Sequence, residues 1–231
     1  MNAQPLPLAA MVPDPFRPLS LGTRHDPPGT ERLLRRRAEI LAVTRRLIAE
    51  AGHDHVTLRQ ISDECEVTVQ TIYNSFGPRL DLLMKALNEH TTAVESVACA
   101  RSSGPLLFLN VAEMYYRCAI DTPDFLREMV SMLFSTNDSL VQMQLHGTRH
   151  KTQLLRDMAR GGIFRDGIQP QMLAAQLTRV NAYAVFEWSL HQDVEALRQE
   201  IMLGNKLLML GALQPWAAAE VEAYSDGWLS H

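Results

Sequence analysis

The sequence has no long apolar run, which argues against a helical membrane protein. Among its 231 residues, no uninterrupted apolar stretch approaches the roughly 18 residues that a membrane-spanning helix needs. The N-terminus also lacks a basic segment followed by an apolar core, which is the pattern of a secretory signal peptide. We therefore expect a cytoplasmic protein that has no membrane partner.

Cysteine is scarce, and the motifs of common enzymes are missing. Cys65, Cys99 and Cys118 have no metal-type spacing, so we expect reduced and mostly buried thiols. The sequence contains no G-x-S-x-G motif, no P-loop and no dinucleotide-binding glycine pattern. We predict that the protein is not an enzyme and binds neither a cofactor nor a metal.

A large basic excess is also missing, since the net charge is −4. The charges are unevenly distributed: residues 31–85 hold nine Lys and Arg against eight Asp and Glu, and the remainder holds 13 against 18. Six arginines fall on one predicted helix, at positions 32, 35, 36, 37, 45 and 46. A basic N-terminal part on an acidic body is typical of a DNA-binding protein. A solvated helix face would give the same pattern.

Most of the chain has apolar residues at helical spacing, and no segment alternates as a strand would. Residues 1–29 hold seven of the twelve prolines, and each proline blocks helix continuation, so we predict a flexible leader. Caps and breakers divide the rest into helices over residues 30–51, 58–66, 69–76, 78–101, 105–120, 123–134, 138–160, 170–191 and 194–213. The tail from residue 214 is ambiguous, because AAAEVEAY could form one or two turns.

The stretch from Val56 to Leu83 has the most specific pattern. Thr57 and Gln60 have the spacing of a capping box, and Thr68 can cap a second short helix. The outer face of that second helix carries Thr, Gln, Asn and Tyr, which add little stability. Such side chains suit base edges and phosphates, so the pattern indicates a helix-turn-helix that binds DNA.

These segments together resemble the DNA-binding domain of TetR-type (tetracycline-repressor-like) transcriptional regulators. The resemblance covers about residues 35–85 and rests on ILAVTRRLIAEAG, VTLRQISDECEV, TVQTIYNSF and GPRLDLL. Two positions depart from the usual pattern: Ser75 stands where many members have His, and Arg79 stands where many have Lys. Ser75 loses one phosphate contact, whereas Arg79 keeps the charge and offers bidentate geometry.

The resemblance implies an all-α protein with an N-terminal three-helix helix-turn-helix DNA-binding domain and a C-terminal helical ligand-binding and dimerisation domain. We place the leader at residues 1–29 and the DNA-binding domain at residues 30–78. The regulatory and dimerisation domain then spans residues 79–231, and residues 79–101 form a connector helix.

The resemblance also implies that a homodimer binds a palindromic double-stranded DNA operator, with recognition helices about 34 Å apart. Gln70 is the predicted base reader, because an amide can pair with adenine, and Val69 is predicted to touch a thymine methyl group. A solvated Gln70 and a packed Tyr73 are the alternatives. The predicted DNA contacts are Thr57, Arg59, Thr68, Val69, Gln70, Thr71, Tyr73, Asn74 and Arg79.

The helical body is predicted to bind a small and largely apolar effector. The predicted pocket residues are Phe108, Tyr115, Phe125, Met129, Met132, Met143, His146, Phe164 and Trp188. Core packing would explain many of these equally well. The predicted dimer interface uses Val180, Tyr183, Ala184, Leu207 and Leu210.

Effector binding is expected to act through the connector helix and weaken operator binding, as in a ligand-responsive repressor. An activator, or a ligand-independent regulator of the same fold, is the alternative. A helical interaction module that has lost DNA binding is another. An enzyme would rest on His146 and His150, but their segment, HGTRH, lacks the glutamate of zinc hydrolases.

Overall fold

The protein, in a computed structural model, is described over residues 13–19, 30–101, 104–135 and 137–224. Within these residues the α-helices are α1 (Thr30–Ala51), α2 (Leu58–Glu64), α3 (Val69–Phe76), α4 (Arg79–Arg101), α5 (Leu107–Asp121), α6 (Pro123–Ser135), α7 (Asn137–Arg160), α8 (Pro170–His191), α9 (Val194–Ala212) and α10 (Pro215–Ala223). The predicted all-α fold is confirmed, and α10 resolves the ambiguous tail.

Two features complete the secondary structure of the described residues. A 3-10 turn over Gly104–Leu106 precedes α5, and an isolated bridge pairs Phe164 with Leu213. None of the described helices has the length and apolar character that crossing a membrane requires.

Local hydrogen bonds determine where the short helices begin and end. Thr57 starts α2 with a capping box: its hydroxyl accepts from the Gln60 backbone N–H at 3.2 Å, and the Gln60 side chain accepts from the Thr57 N–H at 2.8 Å. Gly77 ends α3 with a φ of 87°, which side chains other than hydrogen rarely allow. These caps are local in sequence, which is why the sequence predicts them.

The helices divide into two packed units. The first holds residues 1–93 and 121–143, and the second holds residues 94–120 and 144–231. Helix α4 therefore contributes residues to both units. The predicted domain boundaries divide the chain by function, whereas these two units are defined by packing. The boundaries therefore remain predictions.

The first unit has an apolar core in which α2 packs on α1 and α3, and α6 packs along α1. Its fully buried side chains include Ile40, Ile48, Ile61, Ile72, Phe76, Leu82 and Phe125. Each of these residues belongs to a set of apolar positions that recur every three or four residues along its helix, as the sequence indicates.

A buried arginine also lies inside the first unit. Arg45 of α1 is fully buried and forms an ion pair with Glu89 of α4, with 2.5 Å between Nη1 and Oε2. Its other donors bind the backbone oxygens of Pro15, Arg17 and Ala86. The interpretation of six arginines as one basic surface is therefore wrong for Arg45, because this guanidinium faces the core.

In the second unit α8 and α9 form a helical hairpin. The two helices approach closely where Gly204 meets Val180, since a Cβ atom on Gly204 would lie 2.5 Å from Val180 Cγ1. At the next residue of each helix, the Asn205 side chain donates to Asn181 Oδ1 at 2.6 Å in a buried polar contact. This pair fixes the register of the two helices, because both amides lie in an otherwise apolar interface.

Candidate nucleic-acid interface

The turn between α2 and α3 is held by backbone geometry and by one arginine. Glu66 adopts a left-handed φ of 52°, and the Val67 N–H donates to the Ser62 carbonyl oxygen at 3.0 Å. The Arg36 guanidinium donates to the carbonyl oxygens of Cys65 and Glu66. These bonds satisfy backbone groups that the end of α2 leaves open, so the angle between the helices is fixed.

Helix α3 has one buried face and one exposed face. Thr68 caps its start, accepting from the Thr71 N–H at 3.1 Å, while Ile72 and Phe76 are buried beneath it. Val69 and Tyr73 remain 41% and 51% exposed. An exposed valine and tyrosine contribute little to the core, so they are available to a groove of DNA.

Side-chain hydrogen bonds order the outer face of α3 internally. The Gln70 amide donates to Asn74 Oδ1 at 2.7 Å, and the hydroxyl oxygens of Thr68 and Thr71 lie 2.8 Å apart. A primary amide has two N–H donors and one oxygen, so Gln70 can hold this bond and still pair with adenine. The predicted base reader is therefore held in place before any contact with DNA.

The beginning of α2 presents two more predicted contacts. Thr57 is exposed, but its hydroxyl is committed to Gln60, to which it donates at 2.9 Å. The Arg59 side chain is 87% exposed, and its nearest carboxylate oxygen, on Asp63, is 3.9 Å away. The Arg59 guanidinium is thus exposed and only loosely paired, so it is accessible to a phosphate.

Arg79 is held by backbone groups. Its Nε and Nη2 atoms donate to the carbonyl oxygens of Val56 and His53, which lie in the loop between α1 and α2. Glu128 of α6 holds the same loop, because its Oε2 accepts from the His53 N–H at 3.1 Å. Arg79 therefore positions the start of α2, and phosphate binding by this residue stays a prediction.

Sequence reasoning missed two cations that hold the end of α3. Arg37 donates to the Ser75 carbonyl oxygen at 2.8 Å, and its guanidinium lies 4.5 Å from the centre of the Phe76 ring. Lys85 donates to the Phe76 carbonyl oxygen at 2.7 Å. Cations are favourable at a helix C-terminus, where carbonyl groups point outward. The charges were visible in the sequence, but their direction depends on packing.

The predicted effector-pocket residues fall in different units. On α6, the first unit holds Phe125, Met129 and Met132. The second unit buries Phe108, Tyr115, Phe164 and Trp188. The side chains of Met143 and His146 lie outside the described residues. The structure therefore does not bring the predicted set together within one unit.

Phe125 has partners that explain it as a core residue. Its ring packs edge-on against Phe16 at 6.0 Å and against His90 at 5.2 Å between ring centres. Burial, with a smaller effect of the Arg45 charge, lowers the pKa of His90 to about 3. His90 is therefore a neutral imidazole within the first unit at physiological pH.

A groove of about 560 Å³ opens beside α8 and α9 in the second unit. It is lined by Gly167, Ile168, Gln169, Met172, Leu173, Gln176, Leu207, Leu208, Gly211 and Ala212. Only Leu207 of this set was predicted to have a function, and its predicted role was dimerisation. Sequence reasoning missed the groove because its walls come from segments about 40 residues apart.

The second unit also buries a polar cluster that sequence reasoning missed. Lys151 of α7 donates to Glu95 Oε1 of α4, and the Tyr115 hydroxyl of α5 donates to the same oxygen at 3.3 Å. Burial raises the pKa of Tyr115 well above its ordinary value, and the Glu95 charge adds to this shift. No local pattern in the sequence marks this cluster, because Glu95 and Lys151 are 56 residues apart.

The predicted dimer residues are unequally exposed. Tyr183 and Leu207 are each 59% exposed, Val180 and Leu210 are half-buried, and Ala184 is buried. Other exposed apolar side chains of α8 and α9 are Met172, Leu190 and Leu203. The Tyr183 hydroxyl donates to Glu187 Oε1 at 2.6 Å. Exposed apolar side chains therefore lie on parts of both helices, with the Glu187 carboxylate beside Tyr183.

The structure offers little to the metal-enzyme alternative. Among the described residues, no group of three or more His, Cys, Asp and Glu side chains is arranged to hold a metal ion. The His146 side chain lies outside those residues. His150 Nε2 lies 3.8 Å from Glu95 Oε2, which makes it part of the buried polar cluster.

Comparisons with known proteins agree with this geometry. Residues 40–85 match the sequence profile of a family described as bacterial regulatory proteins, tetR family. The match covers the end of α1, both helices of the helix-turn-helix and the start of α4. The comparison with curated proteins gave no match.

Solved structures share the fold over most of the chain. A full-length tetR regulator, tylp, from Streptomyces fradiae is 16% identical over 82% of this chain and 92% of that chain, with a TM-score of 0.59. The transcriptional repressor FadR from Thermus thermophilus, solved with lauroyl-CoA, is 14% identical over 77% and 95%, with a TM-score of 0.61. A tetR-family regulator from Pectobacterium atrosepticum is 20% identical over 82% and 98%, with a TM-score of 0.57. At these identities the likeness concerns the fold alone.

Proposed function

We propose that this chain, which belongs to the tetR family of bacterial regulatory proteins, represses transcription from a palindromic operator as a homodimer and leaves the DNA when a small effector binds. Members of the family are DNA-binding transcriptional regulators and not enzymes. The operator, the dimer and the effector are the proposed part.

The observation that carries the proposal is the outer face of α3. Gln70 and Asn74 are exposed and joined by a hydrogen bond, and Val69 and Tyr73 are exposed beside them. Arg36 holds the turn between α2 and α3, and Arg37 holds the end of α3. A short helix with this face, held so firmly, has the form of a recognition helix for the major groove.

Affinity for DNA is proposed to depend on few phosphate contacts. Three arginines of α1 that a simple charge count assigns to DNA are engaged within the protein: Arg36, Arg37 and Arg45. Arg59 remains open, and Tyr73 and Asn74 lie beside the proposed base readers. Each phosphate contact adds about one unit to the salt dependence of binding, so we expect a shallow dependence.

The exposed apolar surface of α8 and α9 supports a dimer. Tyr183, Leu203 and Leu207 lie on it, and an exposed apolar surface of this kind marks an interaction site. A second copy of the same surface would form a four-helix interface with two-fold symmetry. Two-fold symmetry would in turn place two recognition helices on a palindromic operator.

The fold supports an effector that binds in the helical body. The Thermus thermophilus repressor of this fold was solved with lauroyl-CoA, which joins an apolar acyl chain to a larger, polar and negatively charged group. An effector that binds one arrangement of the body more tightly than another would shift the population away from the DNA-binding form.

The experiment is a gel-shift titration with DNA from upstream of the coding region, at several salt concentrations. Wild type should give a sequence-selective complex with two subunits per palindrome. Gln70→Ala should weaken binding about 5- to 100-fold and relax selectivity at one base pair in each half-site. Arg59→Ala should weaken binding to every sequence and lower the salt slope by about one per subunit.

Arg79→Ala tests whether Arg79 positions the start of α2 or contacts a phosphate of the DNA. It should lower affinity uniformly, together with the stability of the loop that Arg79 holds. Glu31 pairs with Arg35 on the exposed start of α1, so Arg35→Ala is a matched control for loss of one exposed charge. A wild type that forms no sequence-selective, salt-sensitive complex would refute the proposal.

A further inference from the structure

Two hydrogen-bond donors and one imidazole surround a buried carboxylate in the second unit. Lys151 and Tyr115 both donate to Glu95 Oε1, from α7 and α5 respectively. His150 Nε2 lies 3.8 Å from the other oxygen, Oε2, and this nitrogen is enclosed without a hydrogen-bond partner. The donors come from two helices, and the carboxylate they surround comes from a third, α4.

The cluster is deeply buried except at His150, whose side chain is 35% exposed. The side chains of Glu95 and Lys151 are each only 3% exposed. A buried ion pair is seldom better for stability than two apolar side chains of similar size, because removing both charges from water offsets their attraction. Stability alone therefore does not account for the pair.

Apolar side chains adjoin the cluster on each helix. Val94 and Ala98 flank Glu95 on α4, and Leu155 lies one turn after Lys151 on α7. On α5 the buried Cys118 lies one turn after Tyr115. Along the three helices, the polar cluster is therefore flanked mainly by buried apolar positions.

We propose that Lys151, Tyr115 and His150 form a carboxylate-binding site, that Glu95 fills this site in the effector-free protein, and that the effector is an amphiphile whose carboxylate replaces that of Glu95. The regulatory part of this inference rests on the proposed function. The site favours an anion over a cation, since the donors outnumber the single acidic group.

Replacement of Glu95 gives the effector a route to the DNA-binding helices. Glu95 lies on α4, whose residues 79–93 belong to the first unit. Arg79, at the start of the same helix, holds the loop before α2. A ligand carboxylate that binds Lys151 in place of Glu95 therefore breaks the contacts that join α4 to α5 and α7. The ligand then binds one arrangement of α4 more tightly than the other, which is what a population shift requires.

Isothermal titration of the full chain with three matched probes tests the site. Decanoate, decanol and decylammonium share one alkyl chain and differ in the head group. Wild type should bind decanoate at least about tenfold more tightly than either of the others, which corresponds to the contribution of a charge-assisted contact. Glu95→Gln should bind decanoate about tenfold more tightly than wild type, because the internal competitor is weakened.

Two further variants make the result decisive. Glu95→Gln with Lys151→Met replaces the ion pair by neutral groups, so it should still bind decanol but lose the preference for decanoate. Glu113→Gln is the matched control, since Glu113 is also buried but pairs with Arg117 on its own helix. This variant should bind decanoate as wild type does.

Equal binding of the three probes by wild type would overturn the carboxylate site, and so would unchanged decanoate affinity in Glu95→Gln. Operator DNA is titrated in parallel with each probe. Normal DNA binding with no preference for decanoate rejects this inference and leaves the proposed regulator intact. Preferential decanoate binding by a chain that binds no DNA rejects the proposed regulator and retains the site.

Discussion

Arg45 and Glu89 form a buried ion pair in the first unit, and Lys151 and Glu95 form one in the second. Arg45 extends a planar group with several donors, and backbone carbonyl oxygens complete its hydrogen bonding. Lys151 has a compact ammonium group that meets one carboxylate oxygen. The first pair is thus embedded in the backbone, whereas the second is a contact between side chains.

The difference indicates what each pair contributes. Arginine with a full set of partners is a poor switch, because breaking one bond leaves the others buried and unsatisfied. A lysine whose counter-ion comes from another helix can exchange that counter-ion for a ligand of the same charge. The first pair therefore suits a fixed joint in the DNA-binding unit, and the second suits a joint that an effector can open.

The largest expected effect concerns the first pair. Arg45→Met should lower the free energy of unfolding by about 3–5 kcal/mol, because Glu89 and several carbonyl oxygens would lose a buried donor. The measurement is urea denaturation followed by circular dichroism. The double variant Arg45→Met with Glu89→Gln should recover only part of the loss, since the carbonyl oxygens of Pro15 and Arg17 stay unsatisfied.

The matched experiment neutralises the second pair. Glu95→Gln with Lys151→Met should lie within about 1 kcal/mol of wild type, because the lost attraction is offset by the lost desolvation penalty. The amide oxygen that Glu95→Gln introduces would still accept a hydrogen bond from the Tyr115 hydroxyl. Equal destabilisation by the two double variants would abolish the distinction between a fixed joint and an exchangeable one.

The same contrast explains how much the sequence could predict. Thr57 and Gln60 lie three residues apart, and their capping box forms as the spacing indicates. The apolar positions Ile72 and Phe76 are buried as their helical period predicts. Fold class, helix boundaries and the outer face of α3 all follow from such local rules.

The ion pairs depend on residues far apart in the chain. Arg45 and Glu89 are 44 residues apart, and Glu95 and Lys151 are 56 apart. No local pattern tells which charged residue of an amphipathic helix turns inward to meet such a partner. For the same reason, a charge count assigns the basic cluster of α1 to DNA, whereas Arg36 and Arg37 in fact hold the helix-turn-helix.

A further prediction uses the imidazole beside the fixed joint. His90 is neutral in the folded protein down to a pKa of about 3, compared with an ordinary value of 6.5. Between these values unfolding takes up a proton, so stability is complete above pH 6.5 and falls by about 1.4 kcal/mol per pH unit below it. In His90→Leu this fall in stability at low pH is absent, because the side chain cannot be protonated.

The measurement is urea denaturation of both proteins from pH 8 to pH 4.5. At pH 8 they should differ only by the packing of the new side chain against Phe125. At pH 4.5 wild type should have lost roughly 2–3 kcal/mol relative to His90→Leu. Parallel curves would show that His90 charges freely in the folded unit, and the first joint would then be less rigid than its contacts indicate.

A single side-chain truncation tests whether the chain before α1 belongs to the fixed joint. Phe16 is 38% exposed and packs on Phe125, and its neighbours Pro15 and Arg17 supply carbonyl oxygens to Arg45. Phe16→Ala should lower the free energy of unfolding by about 1 kcal/mol. In the Arg45→Met background the same change should have much less effect, because the segment would already have lost its anchor. Strict additivity in this double-mutant cycle would mean that Arg45 and the segment act independently, and the first pair would then be held by side chains alone, as the second is.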